Sequence, residues 1–233
     1  MRAWILLLSL VACQAVHRTV WTAGGPRPEQ DLPAAWDTTP PSEFERQVAR
    51  LSAGRVAWSA ASLDTLRAAL AVPDAAAVRA TVLLAYDPST AATEVLIGRL
   101  EARAHAPQRG LDAGDLVAAA ALDGRGVEAR LVVLVIGDAP HPDLEVRVEC
   151  ARTALRAGRE DVVPFLLTVL RALTPAEREH APDWERVTTL MWAKSRAGEA
   201  LSARLGIECR VRPDGSWTDQ MAEADRLEGL FAR

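Results

Sequence analysis

Any chemistry in this chain has to come from a small stock of reactive side chains: Cys13, Cys150 and Cys209, with His17, His105, His141 and His180. A metal site draws on His, Cys, Asp and Glu at ligand spacing. Glu177, Glu179 and His180 cluster after Pro175, but their spacing matches no metal motif and reads as a solvated turn. His17 stands in a polar N-terminal stretch, and His105 and His141 fall in loops near prolines. A nucleophilic thiol needs a base beside it, and the sequence offers none for Cys150 or Cys209. Two readings of those cysteines stay open. They are small buried hydrophobes, or, in an oxidising compartment, a disulfide pair. The chain has no G-x-S-x-G elbow, no Gly-rich phosphate loop and no Cys-x-x-Cys. No catalytic residue, metal or cofactor is expected, and the chain is not expected to be an enzyme.

Composition narrows the classes further. Of 233 residues, 49% are hydrophobic and 25% charged, which is globular rather than disordered. A net charge of −4, with Arg interleaved among Glu and Asp, argues against nucleic acid as a partner. Lys194 is the only lysine against 26 arginines, and Asn is absent. That skew fits a GC-rich coding bias, so Arg-for-Lys choices carry little information.

Cys13 gains meaning from what precedes it. Met1-Arg2 is a short positive start, and Ala3 to Val11 is apolar apart from Ser9. Such a stretch is too short to span a bilayer and reads as a secretory signal peptide. Leu10-Val11-Ala12-Cys13 resembles the lipobox of bacterial lipoproteins. That resemblance implies removal of residues 1–12 and acylation of Cys13, with more than one chain and hence a stable membrane anchor. It also implies an exported protein, lipid-anchored in the bacterial cell envelope. Gln14 after the cysteine favours the outer membrane or periplasmic face. An ordinary signal peptide cleaved near Ala15-Val16 is the other reading.

The elements that follow are a tether and a helical body. Residues 13–41 are rich in Pro and Gly and are expected to be an extended linker. Trp21 and Trp36 are unusual there and are expected to pack back on the body or to sit at the lipid interface. From residue 42 to 206, apolar residues recur at helical spacing. Ser42 is the expected cap of the first helix, which Gly54 ends. Ser62 or Asp64 starts the next, and Pro73 stops it.

Three segments, from Leu83, Ala119 and Ala154, align at offsets of 36 and 35 residues with apolar columns in common. Breaks recur at Asp87-Pro88, Asp123-Gly124 and Gly158-Arg159, so the unit is helix, turn, helix. In the third copy Leu144, Val148, Ala151 and Leu155 form one stripe. Glu145, Glu149, Arg152 and Arg156 form another, expected to face solvent. The second helix, including Phe165, is apolar nearly all round and expected to be buried. The run His141-Pro142-Asp143-Leu144-Glu145-Val146-Arg147, with Asp161-Val162-Val163-Pro164-Phe165-Leu166 after it, resembles a HEAT-type repeat. Val78-Arg79 echoes it. The middle copy lacks the Val-Arg element. The resemblance implies an all-α fold, a short right-handed α-solenoid of HEAT-like helix pairs. Metal-binding HEAT-like hydroxylases use His-Glu pairs, which are missing here.

Residues 207–233 complete the body. Asp183 is the expected cap of a long helix to about Leu205. Ile207, Cys209 and Val211 alternate with Glu208, Arg210 and Arg212, an extended pattern. Ser216 and Asp219 resemble a capping box before a last helix that would seal the stack. Function is then expected to lie in binding: a membrane-anchored, non-enzymatic scaffold, monomeric, holding a protein or peptide. The alternative is an accessory subunit of an envelope enzyme or secretion assembly. If the second helices line the binding face, one column is Ile97, Val133 and Thr168, and another is Glu94, Arg130 and Phe165. Val133 could equally be core.

Overall fold

Short apolar periodicities, side-chain caps and few β-branched runs make almost every element of this chain a helix, and the fold is all-α. The structure, a computed structural model, describes residues 29–52, 56–72, 74–105, 112–173 and 184–233. Residues 1–12, expected to be a signal peptide, and Cys13, His17, Trp21, Gly54, Pro73, the Glu177–His180 cluster and Asp183 lie outside the described residues. The chain divides into two units, Met1–Val127 and Glu128–Arg233.

In the first unit, β1 (Glu29–Gln30) pairs in parallel with β2 (Ala57–Trp58). Between them lies α1 (Pro41–Ser52). Then come α2 (Ala60–Ala69), α3 (Ala75–Ala85), α4 (Thr90–Ala104) and α5 (Ala113–Ala121). Residues 29–40, read from sequence as part of a linker, are instead stitched to the helices. Ser59 N donates to Gln30 O (2.9 Å) and Leu32 N to Ser62 Oγ (3.1 Å). Trp36 is buried, as packing on the body requires. Residues 33–39 form a turn, with Trp36 N donating to Pro33 O (3.3 Å), that carries Trp36 inward. The helix starts also differ in detail. Pro41, with its preset φ and dispensable N–H, opens α1 in place of a Ser42 cap. Ser59 caps α2 by accepting from Ser62 N, so Ser62 is a buried helical residue and not the start. Asp74, Ser89 and Asp112 cap α3, α4 and α5 in the same way.

Alternate helices lie side by side in this unit: α3 against α5, and α2 against α4. That is the packing expected when helix pairs stack. From Gly114 to Ala121, α5 is buried throughout, so it sits inside the unit and not on its surface.

The second unit holds α6 (Glu128–Ile136), α7 (Leu144–Arg156), a 3₁₀ turn (Glu160–Val162), α8 (Val163–Arg171), α9 (Trp184–Leu205) and α10 (Trp217–Phe231). Here α7 packs on α6 and α9, and α8 on α9 and α10. Arg171 on α8 reaches Asp225 (2.7 Å) and Glu228 (2.6 Å) on α10. Gly158 and Gly206 end α7 and α9 at φ of 87° and 66°, where an L side chain would be strained. In each case the next N–H reaches back to the last turn: Arg159 N to Ala154 O and Ile207 N to Ser202 O, both at 3.0 Å.

One expectation fails here. Glu145, Glu149 and Arg152 are buried, and of that stripe only Arg156 is exposed. The reason is that α7 is covered on two sides. The 22-residue α9 lies along the stripe that sequence alone assigned to water. Charges taken out of water must be paired, and Arg152 grips Glu149 through both Nε (2.9 Å) and Nη2.

Past Gly206, residues 207–212 alternate in exposure as predicted, without belonging to a sheet. Ser216 caps α10, accepting from Asp219 N at 3.1 Å. Its hydroxyl donates to the Asp219 carboxylate (2.8 Å), a variant of the reciprocal box.

Candidate interaction face

The partner-binding columns separate by unit. On α4 in the first unit, Glu94 is exposed but Ile97 is 0% exposed, packed among Val95, Leu96 and Leu100. Ile97 is therefore core and cannot line a surface. Neighbours α2, α3 and α5 cover α4 on several sides, so the column that faces outward elsewhere faces inward here. In the second unit the column does reach solvent. Val133 on α6 is 57% exposed and Thr168 on α8 is exposed. Arg130 and Phe165, the second column, are half-buried beside them. Ile136, one turn beyond Val133, is 48% exposed. The alignment missed Ile136, because α6 is apolar from Leu131 to Ile136 and no periodicity distinguishes inside from outside.

Arg147 holds this face together. Its Nε and Nη2 donate to Val135 O at 3.2 and 2.6 Å, satisfying a carbonyl in the last turn of α6. The same guanidinium lies 4.5 Å over the ring of Phe165 on α8. Partial burial lowers its pKa. Phe165 is thus a half-buried ring clamped by an arginine, not the fully buried core residue expected from sequence.

Arg79, the matching position of the earlier Val-Arg, plays the same part. It donates to Trp36 O (3.2 Å) and Asp37 O (2.8 Å) and lies 5.0 Å over Phe44. The middle segment has no Val-Arg, but Arg125, between its two glycines, donates to Ala85 O (2.6 Å) and Asp87 O (2.7 Å). Burial pulls the Arg125 pKa down to about 10, against a smaller upward pull from Asp87. All three arginines tie off backbone carbonyls, a structural assignment for the motif.

The remaining buried charges are also engaged. In the first unit Asp115 on α5 accepts from Arg99 Nε (2.7 Å) and Arg103 Nε (3.0 Å), while Arg99 also bonds Asp112 (2.6 Å). In the second, Glu149 holds Arg152 and lies 3.9 Å from Arg196. Lys194, the lone lysine, is fully buried on α9 and donates to Gln220 Oε1. Gln220 in turn donates to Pro213 O (3.1 Å) and Gly215 O (2.8 Å), fixing the turn before α10. Composition could have flagged Lys194: a single lysine among arginines, between Ala193 and Ala197, is not explained by codon bias. Cys150 is buried and Cys209 half-buried, and they are not joined to each other.

Among the described residues no helix is long and apolar enough to cross a membrane. The chain matches no protein-family model, no curated protein and no solved structure.

Proposed function

We propose that this protein is a membrane-anchored, non-enzymatic interaction module. In this reading Cys13 carries the lipid anchor in a bacterial cell envelope, and HEAT-like helix pairs present a binding face to a protein or peptide. The observation that supports it most is the exposure of Val133 and Ile136 one turn apart on α6. A soluble surface tolerates single exposed aliphatics, but adjacent ones mark a contact surface. Arg130 lies one turn before Val133 on the same helix, and Arg147 links the last turn of α6 to the Phe165 ring on α8. Arg147 pins α6 to α8, so the face is rigid and little ordering entropy is lost on binding.

The test replaces Val133 and Ile136 together by Asp in the full chain. Both side chains are about half in water, so helical circular dichroism should be unchanged and stability should move by no more than about 1 kcal/mol per site. A protein that co-purifies with the wild type from detergent-solubilised membranes should be lost from the variant. Retention of that protein at wild-type yield would rule out this face.

A further inference from the structure

Past a bend at Ile207, the stretch to Arg212 lies outside any helix, between α9 and the turn at Pro213–Gly215. Its side chains alternate. Ile207, Cys209 and Val211 are half-buried, while Glu208, Arg210 and Arg212 are exposed. Val211 is seated against α9 so closely that a Cβ on Gly198 would lie 2.3 Å from its Cγ2. One side of the segment is thus fixed to the body. The backbone N–H and C=O groups of Glu208, Cys209, Arg210 and Val211 make no hydrogen bond among the described residues, and neither Glu208 nor Arg210 forms an ion pair there. β1 and β2 pair only with each other. The segment has the alternation of a strand and backbone groups without partners among the described residues, features that invite another chain to pair with it.

Its sequence indicates which chain. Ile207-Glu208-Cys209-Arg210-Val211 is self-complementary about Cys209. Two copies laid antiparallel with Cys209 opposite Cys209 place Glu208 across from Arg210 of the other copy, twice. They also place Ile207 across from Val211, twice. Opposite charges and apolar pairs directly across an antiparallel ladder attract, while like charges repel. A register centred on Arg210 would set two arginines face to face, and one centred on Glu208 two glutamates. We propose that this edge is a self-association site, taking a second copy of the chain as an antiparallel strand in the Cys209-centred register. The contact is isologous, as two-fold dimers require. It departs from the monomer expected from sequence.

Disulfide trapping reads the register directly. Residues opposite one another in an antiparallel pair have Cα atoms about 4.5–5.5 Å apart, within the range a disulfide spans. The full chain carrying Cys13→Ser, in detergent, is treated with diamide as the oxidant of the two thiols. The expected product is a disulfide dimer that vanishes with Cys209→Ser. Arg210→Glu sets acid against acid at two places and should lower the dimer yield about tenfold. The double reversal Glu208→Arg with Arg210→Glu restores both pairs and should restore the yield. If Arg210→Glu loses its helical signal, Glu208→Arg makes the same test with base against base. Sedimentation of the Cys209→Ser chain from micromolar to millimolar should show a reversible dimer. A monomer at every concentration with no Cys209 disulfide would overturn the proposal, as would a dimer indifferent to charge reversal.

Discussion

Glu149 and Arg152 stand three residues apart on α7 with almost no access to water. Because each is buried, each depends on the other, and Arg196 adds a second positive charge near Glu149. Glu149→Ala should therefore cost about 3–5 kcal/mol in urea unfolding, since it removes the carboxylate that a buried guanidinium grips through two nitrogens. Replacing both by Leu should recover most of that loss, because the desolvation cost disappears along with the attraction. Glu43, paired with Arg46 on the exposed side of α1, gives the contrast: Glu43→Ala should change stability by less than about 1 kcal/mol. A Glu149→Ala effect as small as that of Glu43→Ala would mean the pair is not buried. None of this was legible in α7 alone. Charged residues at i, i+3 and i+4 spacing look the same whether water or another helix lies over them. The decisive information sits about forty residues later, in α9. The Val-Arg arginines were visible in sequence as a motif, but not their task. That task depends on which carbonyls the preceding turn or helix leaves unsatisfied.

At the scale of elements, caps and glycine turns were the most legible features. They are local: Ser216 with Asp219 and the breaks at Gly158 and Gly206 each depend on residues a turn away. Helix starts slipped where two candidates competed, as Ser59 did with Ser62. The seating of residues 207–212 on α9 was half legible, since the alternation was there but its contact was not. Gly198 supplies that contact. In an ordinary helix interior Gly→Ala is stabilising by helix propensity, by about 1 kcal/mol. Here the new Cβ would also meet Val211 Cβ at 2.7 Å, which no flexible side-chain end can relieve. Gly198→Ala should therefore destabilise by about 1–3 kcal/mol, the usual cost of overpacking. Val211→Gly in the same chain removes that Cβ and should reverse the sign. Thermal or urea unfolding of the two single variants and the double variant checks this. A stabilised Gly198→Ala chain would show that the extended segment does not rest on α9.

For the molecule as a whole, the all-α class and the succession of helix pairs were readable from apolar spacing. The equivalence of the copies was not fully so. Ile97 and Val133 align, yet one is core and the other is in water, because α4 has more helices around it than α6 has on its outer side. Alignment columns preserve position along a helix, but exposure is set by neighbours. The proposed address follows a different logic, resting on Leu10-Val11-Ala12-Cys13. Intact mass should show loss of residues 1–12 with acylation of the new N-terminus, and Cys13→Ser should release the chain from membranes. An unacylated, soluble wild type would remove the anchor.

The claim that matters most is that the α6–α8 face meets a partner, and photocrosslinking in intact cells tests it most directly. A photoreactive amino acid is placed at Val133, and in a separate chain at the exposed Glu199 on α9. One discrete adduct is expected from Val133, found in the membrane fraction, and none of that size from Glu199. No adduct from Val133, or the same adduct from both positions, would contradict it.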